Sequence, residues 1–244
     1  MGEIALVVIG ILIALQINNW NEERIQRAEE AKTIQFIFDE LQANLAYHKG
    51  RIIELTYYES LARNILKSTG PSPPELPKDS LFQILHPYEY HSLYAPVIAK
   101  FKQLIGSDDI NLISSDSLKN LFLQYDALLG LASELQLLLN QSSTRLNEYL
   151  DRKGMTRDVL LTPGRVSKDD PWAIDVGRLW EKSYGDLGFS QFTFDIVNLL
   201  KDPQFEAVIS RRFREVVYSK GRLSTVQDHI EYMIEFIRSN YPVE

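Results

Sequence analysis

The chain opens with an unbroken apolar run. Ile4 to Ile17 reads IALVVIGILIALQI, with no charged residue and a single polar side chain, Gln16. Extended to Trp20, a helix of this run spans about 25 Å, against roughly 30 Å of bilayer hydrocarbon. A helix that is apolar on every side is costly to leave in water. The pattern therefore predicts a slightly short membrane anchor over residues 1–20, with Trp20 as its interfacial aromatic.

Two alternatives explain this run less well. A cleaved signal peptide needs a basic segment before the run and a small-residue cleavage site after it, and neither Glu3 nor Gln16-Ile17-Asn18 supplies them. A core helix would have to be covered by protein on every side. The side chains that we predict to contact lipid are Ile4, Leu6, Val7, Val8, Ile9, Ile11, Leu12, Ile13, Leu15, Ile17 and Trp20.

Three later segments have apolar residues three or four positions apart, the spacing of an amphipathic helix. The first extends from Asn21, a candidate N-cap, to about Ser68, and follows the anchor with little break. The second extends from Ser115 or Asp116 to about Arg152, where Leu123, Leu131 and Leu137 widen the apolar stripe and predict a central helix. The third begins at Asp202-Pro203, a typical N-cap followed by proline, and ends near residue 240, with a bend expected at Gly221.

Shorter elements and irregular stretches separate these helices. Residues 69–77 (TGPSPPELP) form a predicted linker, and short helices are predicted at 79–85, 97–105 and 190–200. Residues 155–188 are rich in glycine and proline, with one short helix expected at 170–180 and packed by Trp172 and Trp180. Strand patterns are almost lacking. The expected fold is all-α: a transmembrane helix continuing into an elongated antiparallel bundle, with residues 21–244 as a single domain.

Composition removes several functions from consideration. The net charge is −7 and the isoelectric point is near 5.2, so the surface disfavours binding to nucleic-acid backbones. The chain has no cysteine, which excludes disulfides, thiolate metal sites and a cysteine nucleophile.

Catalytic motifs and metal-ligand spacings do not stand out from the sequence, and we expect no cofactor and no metal. His48 lies near the apolar stripe of its helix and is expected to be a core histidine. Two sets of residues remain weak candidates for binding a ligand or partner. They are the aromatic segment with His86, Tyr88, Tyr90, His91 and Tyr94, and the basic cluster Arg211, Arg212 and Arg214, for which ion pairs to Glu206 and Glu215 are the alternative explanation.

The N-terminal string also resembles a known family. Gly2 to Glu23, GEIALVVIGILIALQINNWNEE, is similar to the signature of an uncharacterised family of small single-pass membrane proteins from Gram-negative bacteria, a domain of unknown function. Weaker similarity extends over Ile105 to Tyr125 and Leu199 to Phe213. Family members carry a basic segment before the Gly-Glu, which this chain lacks, so Met1 is expected to be an internal or mis-assigned start.

The residues and the resemblance predict opposite orientations of the chain in the membrane. Arg24, Arg27 and Lys32 lie after the run and none precedes it, which by the positive-inside rule places the bundle in the cytoplasm. The resemblance implies the opposite, an inner-membrane anchor with a periplasmic bundle, and we favour that orientation.

The function expected from these observations is a non-enzymatic scaffold or sensor-like module of the cell envelope. It would contact the lipid bilayer and bind a protein partner, a second copy or a small ligand. The alternative is an enzyme with a site in residues 155–188, using Asp169 or Asp170 with a histidine from another helix.

Overall fold

The structure is a computed structural model that describes residues 2–75, 85, 94–160, 190–192 and 195–243, with side chains from residue 7 onward except at 108, 158 and 160. Within these ranges all regular secondary structure is helical, so the predicted all-α class is confirmed. The elements are α1 (Gly2–Ser68), α2 (Ala99–Gly106), a 3₁₀-helix (Asp108–Leu112), α3 (Asp116–Arg152), α4 (Thr156–Leu160), α5 (Ile196–Leu200) and α6 (Pro203–Asn240).

The longest element, α1, is continuous from the apolar run into the amphipathic segment. The expectation that Asn21 caps a new helix is wrong, because the main chain is already helical there. Its side chain instead accepts a hydrogen bond from Arg24 at 3.2 Å, an i,i+3 contact on the helix surface. The predicted absence of a break is confirmed, and the helix also passes through Gly50 without interruption.

Local signals explain where α3 ends and where α6 begins. Gly154, with φ +70°, adopts the left-handed conformation that terminates α3 at low steric cost. At the start of α6 the Asp202 carboxylate accepts a hydrogen bond from the Gln204 main-chain N–H at 2.8 Å, and Pro203 occupies the first helical position. Both predicted boundaries are confirmed. The bend expected at Gly221 does not occur, since α6 is continuous there.

The short helices predicted between the long ones agree with the structure only in part. The 97–105 helix is found as α2, and the 3₁₀-helix follows it. The 190–200 helix is shorter than expected, because Asp195 caps α5 by accepting main-chain N–H groups of Val197 and Asn198. The helix predicted at 79–85 lies outside the described residues except for Leu85, and the one predicted at 170–180, with Trp172 and Trp180, lies wholly outside them.

The chain divides into two compact units, and α1, α3 and α6 contribute residues to both. Unit 1 comprises 1–47, 96–127 and 227–244, and unit 2 comprises 48–95 and 128–226. The predicted division into an anchor and one bundle domain stays a prediction.

Unit 1 has an aromatic core. The ring centroid of Phe101 lies 4.9 Å from that of Tyr125 and 5.9 Å from that of Phe122, both edge-on. Tyr125 in turn stacks on His229, whose ring nitrogen lies 2.9 Å from the Leu121 carbonyl oxygen. Apolar side chains of α1 and α6 complete the core: Ile34, Ile37, Phe38, Leu41, Ile230, Met233, Ile234 and Ile237.

The core of unit 2 is built mainly from aliphatic side chains and Tyr149. This ring lies 5.8 Å from Phe205, and its hydroxyl donates a hydrogen bond to Asp202 at 2.8 Å. The main-chain N–H of Gly70 donates to the Leu200 carbonyl at 3.0 Å, which joins the end of α1 to α5. The buried aliphatic residues include Leu55, Ala62, Ile65, Leu85, Leu129, Ala132, Leu139, Leu146, Leu150, Val159, Ile196, Leu199, Leu200, Ile209, Val216, Leu223 and Val226.

One prediction about α3 is wrong. Leu123, Leu131 and Leu137 were expected to widen the buried stripe, but Leu137 is 59% exposed and the other two are also on the surface. The α3 core is the narrower set at helical spacing, which includes Leu118, Phe122 and Leu129. The helix therefore has one buried face and presents leucines on another.

Candidate functional site

The apolar stretch, residues 7–20 of α1, is exposed on every side. Leu12 is 58% exposed and Trp20 is 64% exposed, and no residue between Val7 and Trp20 is buried. The predicted lipid-facing side chains Val7, Val8, Ile9, Ile11, Leu12, Ile13, Leu15, Ile17 and Trp20 all belong to it, whereas the side chains of Ile4 and Leu6 lie outside the described residues. Among the described residues, no helix combines the length and the apolar character needed to cross a membrane.

Further along α1, polar side chains hold main-chain groups of the segments that pack on it in unit 1. The Glu40 carboxylate accepts the N–H groups of Lys100 and Phe101 at 2.8 and 2.9 Å, which caps the N-terminus of α2. Glu30 accepts from the Ser114 N–H at 2.6 Å and from its hydroxyl at 2.8 Å. These carboxylates therefore fix the loop ends between α1 and α3.

Asn44 continues this series. Its amide donates to the Val97 carbonyl and accepts from the Val97 N–H, both at 2.8 Å. The same Nδ2 also donates to the Tyr125 hydroxyl at 3.1 Å. Burial raises the pKa of Tyr125, so this phenol stays protonated at neutral pH. The group is a structural clamp, since all of its polar atoms face protein.

Unit 2 instead buries polar side chains of α1 against other side chains. His48 is fully buried, and its Nε2 lies 2.9 Å from the Tyr94 hydroxyl. The prediction of a core histidine is confirmed. The hydrogen bond to His48 places Tyr94, one of the five aromatic-segment candidates, in contact with the core. The other four, His86, Tyr88, Tyr90 and His91, lie outside the described residues.

A charged pair lies one turn beyond this histidine. Arg51 and Glu54 are both buried and hydrogen-bonded to each other. A second Arg51 nitrogen donates to the Gln136 side-chain oxygen at 3.3 Å. Burial of both charges requires this pairing, because an isolated charge would lose its solvation without compensation.

The predicted basic cluster on α6 is divided by the helical rotation. Arg212 is 1% exposed, and it donates to the Leu139 carbonyl at 2.8 Å and to the Ser142 hydroxyl at 3.2 Å. It joins α6 to α3, and unlike the other two arginines it is buried. Arg211 and Arg214 are exposed. Arg214 pairs with Glu215 at 2.6 Å, as the alternative explanation predicted, whereas no ion pair to Glu206 forms.

The two exposed arginines line a groove of about 630 Å³ between α3 and α6, which we name the arginine groove. Arg145 and Arg222 also line it, so four guanidinium groups and one carboxylate, Glu215, face the same space. Its apolar wall consists of Leu135, Leu138, Val217 and Tyr218. All of these residues belong to unit 2.

Sequence patterns could reveal only half of this groove. Arg211, Arg214, Tyr218, Arg222 and Thr225 share one face of α6 at helical spacing, so the periodicity alone places them together. The α3 side has no comparable signal. Arg145 was missed because it is far away in the sequence and comes close only through packing of the two helices.

A second cavity of about 290 Å³ lies in unit 1 and has mixed charge. Phe36 lines it, with the ammonium groups of Lys32 and Lys100 at 5.9 and 5.7 Å from the ring centroid. Glu29 and Asp109 also line it, so positive and negative charges occur together. This composition favours no particular ligand.

In the described part of the chain, no three His, Cys, Asp or Glu side chains are grouped so that they could hold a metal ion. The enzyme alternative was assigned to residues 155–188. Of these, 161–188, with Asp169 and Asp170, lie outside the described residues.

Comparison with known proteins adds one finding. No curated protein and no solved structure matches the chain. The expected similarity to a family of unknown function is confirmed, and it covers the apolar stretch, Glu30, Glu40, Asn44 and the rest of α1. The weaker similarities expected at 105–125 and 199–213 fall outside that match. Residues 3–73 match the model described as the family of unknown function DUF6090.

Proposed function

We propose that this chain is a membrane-anchored, non-enzymatic helical protein of the bacterial cell envelope that binds a partner or small ligand. In this proposal residues 1–20 cross the inner membrane, and α1 continues from them into an elongated antiparallel bundle on the periplasmic side. The observation that carries the proposal is the all-round exposure of an apolar helix from Val7 to Trp20.

Lipid suits this surface better than a protein partner does. A single partner helix covers one face, whereas Val7, Val8, Ile9 and Ile17 point in four different directions around α1 and are all exposed. Burial of such side chains favours transfer from water by roughly 1.5–3 kcal/mol each. Trp20 then lies at the polar end of the stretch, where indole rings favour the interface.

Membrane fractionation of the full chain tests the anchor. The wild-type protein should stay with membranes after alkaline carbonate extraction. The double variant Ile9→Lys/Ile13→Lys should be released, because each lysine near a helix centre costs about 2.5–3.5 kcal/mol in insertion. The matched control is Ile25→Lys/Ile53→Lys, which changes two exposed isoleucines of the same helix beyond the apolar stretch. Release of the wild type, or equal release of the control, would contradict the anchor.

The lack of native cysteine allows a direct test of orientation. Ser239→Cys introduces one thiol at an exposed position near the end of α6. A membrane-impermeant maleimide should label it in intact spheroplasts if the bundle is periplasmic. Labelling only after lysis would place the bundle in the cytoplasm and leave the anchor itself intact.

A further inference from the structure

The arginine groove contains guanidinium groups that pair with no residue in the described part of the chain. Arg145, Arg211 and Arg222 line it, and none of the three forms a hydrogen bond or ion pair with any described residue. Elsewhere in unit 2, Arg63 pairs with Glu59 at 2.8 Å and Arg51 pairs with Glu54. The groove therefore brings together three guanidinium groups that no described carboxylate pairs.

This concentration of positive charge is unusual for the chain that carries it. The protein has 33 acidic residues and a net charge of −7, yet Glu215 is the only acidic residue among the described residues that line the groove. That carboxylate is already bonded to Arg214 through the guanidinium Nε and Nη2 atoms, at 3.2 and 2.6 Å. The local potential is positive, and an anion entering the groove would relieve repulsion among the three free guanidinium groups.

The side chains also indicate the type of anion. Arginine presents a planar fork of N–H donors that matches the oxygens of phosphate and carboxylate groups, and the described lining of the groove includes no lysine. Leu138 and Tyr218, both substantially exposed, provide an apolar wall beside these donors. The volume of about 630 Å³ lies within the usual range of small-molecule sites, about 300–1,000 Å³.

We propose that the arginine groove binds a small organic oxyanion, with phosphate or carboxylate oxygens on Arg145, Arg211 and Arg222 and an apolar portion against Leu138 and Tyr218. A soluble organophosphate and the headgroup region of an anionic lipid share this chemistry. The inference deepens the proposed function by naming a ligand class for the same module. It can hold whether or not residues 1–20 cross a membrane.

Titration calorimetry of the full chain in neutral detergent tests the proposal, with phenyl phosphate as the probe. Phenyl phosphate should bind more tightly than inorganic phosphate or phenol. Inorganic phosphate supplies only the oxygens that contact the arginines, and phenol supplies only the ring that contacts the apolar wall. The variant Arg211→Gln/Arg222→Gln should weaken binding about tenfold or more, and binding should also weaken as salt is added. The matched control, Arg152→Gln/Lys201→Gln, removes two exposed cations of unit 2 outside the groove and should leave the affinity unchanged.

A second arm identifies the source of the oxyanion. Short-chain phosphatidylglycerol, with short-chain phosphatidylcholine as the zwitterionic control, is titrated against the same variants. Tighter binding of phosphatidylglycerol than of phenyl phosphate, lost in the groove variant, supports the proposal with a lipid as ligand, and the reverse order supports it with a soluble ligand. Absence of binding by every anion, or equal loss in the groove and control variants, overturns it. Circular dichroism of both variants verifies that they remain folded.

Discussion

Where polar side chains of α1 reach other segments, they contact mainly main-chain groups in unit 1 and side chains in unit 2. Glu40 and Asn44 take up the N–H groups of Lys100, Phe101 and Val97. In unit 2, His48 contacts Tyr94, and Arg51 contacts Glu54 and Gln136. The same helix, α1, is therefore stabilised by contacts to main-chain groups in unit 1 and by contacts between side chains in unit 2.

The difference has energetic consequences. A carboxylate that caps a helix satisfies N–H groups that would otherwise lack partners, and its removal costs one or two hydrogen bonds. A buried ion pair roughly balances desolvation against attraction, but removal of one partner leaves an uncompensated charge. We therefore expect unit 2 to be more sensitive than unit 1 to a single polar substitution in α1.

The largest expected effect is that of Arg51→Met. The change keeps most of the side-chain volume and leaves Glu54 buried without Arg51, so the free energy of unfolding should fall by about 3–5 kcal/mol. Arg63→Met is the matched control, because it breaks a second Arg–Glu pair of the same helix whose arginine is largely exposed. Its cost should be no more than about 1 kcal/mol. Urea unfolding of the full chain in detergent, followed by circular dichroism, measures both, and equal losses would contradict the distinction between buried and exposed pairs.

An intermediate effect is expected for Glu40→Ala. The cap on α2 is lost, which should lower the free energy of unfolding by about 1–2 kcal/mol and speed amide exchange at Lys100 and Phe101. Glu40→Gln keeps an acceptor oxygen and should restore part of the loss. Gln42→Ala changes an exposed neighbour and serves as control. Unchanged amide exchange at Lys100 and Phe101 in Glu40→Ala would show that the carboxylate does not hold α2.

Asp202 combines both kinds of contact and should give the smallest effect. Hydrogen bonds from Lys153 and Tyr149 lower the pKa of its carboxyl to about 2, from a usual value of 3.8. Because the folded-state pKa is depressed, the stabilisation is fully present above pH 3.8 and is lost as pH falls through about 2. Asp202→Asn keeps the cap on α6 but should weaken this pH dependence. Because solvent screens the charges, the pH-dependent part of the free energy of unfolding should change by under about 1 kcal/mol.

Denaturant midpoints at pH 5 and pH 2.5 measure the effect of Asp202→Asn. The difference between the two midpoints should be smaller in the variant than in the wild type. Glu206→Gln, an exposed acid in the first turn of α6, is the control. An identical pH difference in wild type and Asp202→Asn would mean that other carboxylates govern acid sensitivity in this unit.

Sequence patterns predict most of the long helices, because their end signals are local. Gly154 and the Asp202-Pro203 pair act within one turn, so the bounds of α3 and α6 follow from residues beside them. Asn21 gave a wrong prediction because its signal is also purely local. It has a capping side chain, but the apolar residues before it continue the helix, and local cap preference loses to that continuation.

Burial and the arginine groove were less predictable. Leu137 and Leu131 have the composition of core residues, yet whether a leucine is covered depends on which helices lie opposite it. Arg211 and Arg212 are adjacent and identical in type, but one helical step of 100° puts the first on the surface and the second in the core. Such distinctions require the packing of α6 against α3.

The contacts of Glu40 and Asn44 also bear on how the sequence can change over evolution. Both side chains bind main-chain atoms, which every residue other than proline provides. Positions 97 and 100 can therefore accept new side chains without losing their attachment to α1, whereas Phe101 is also held by its ring. Among related chains, Glu40 and Asn44 should stay constant while the amino acids that they hold drift.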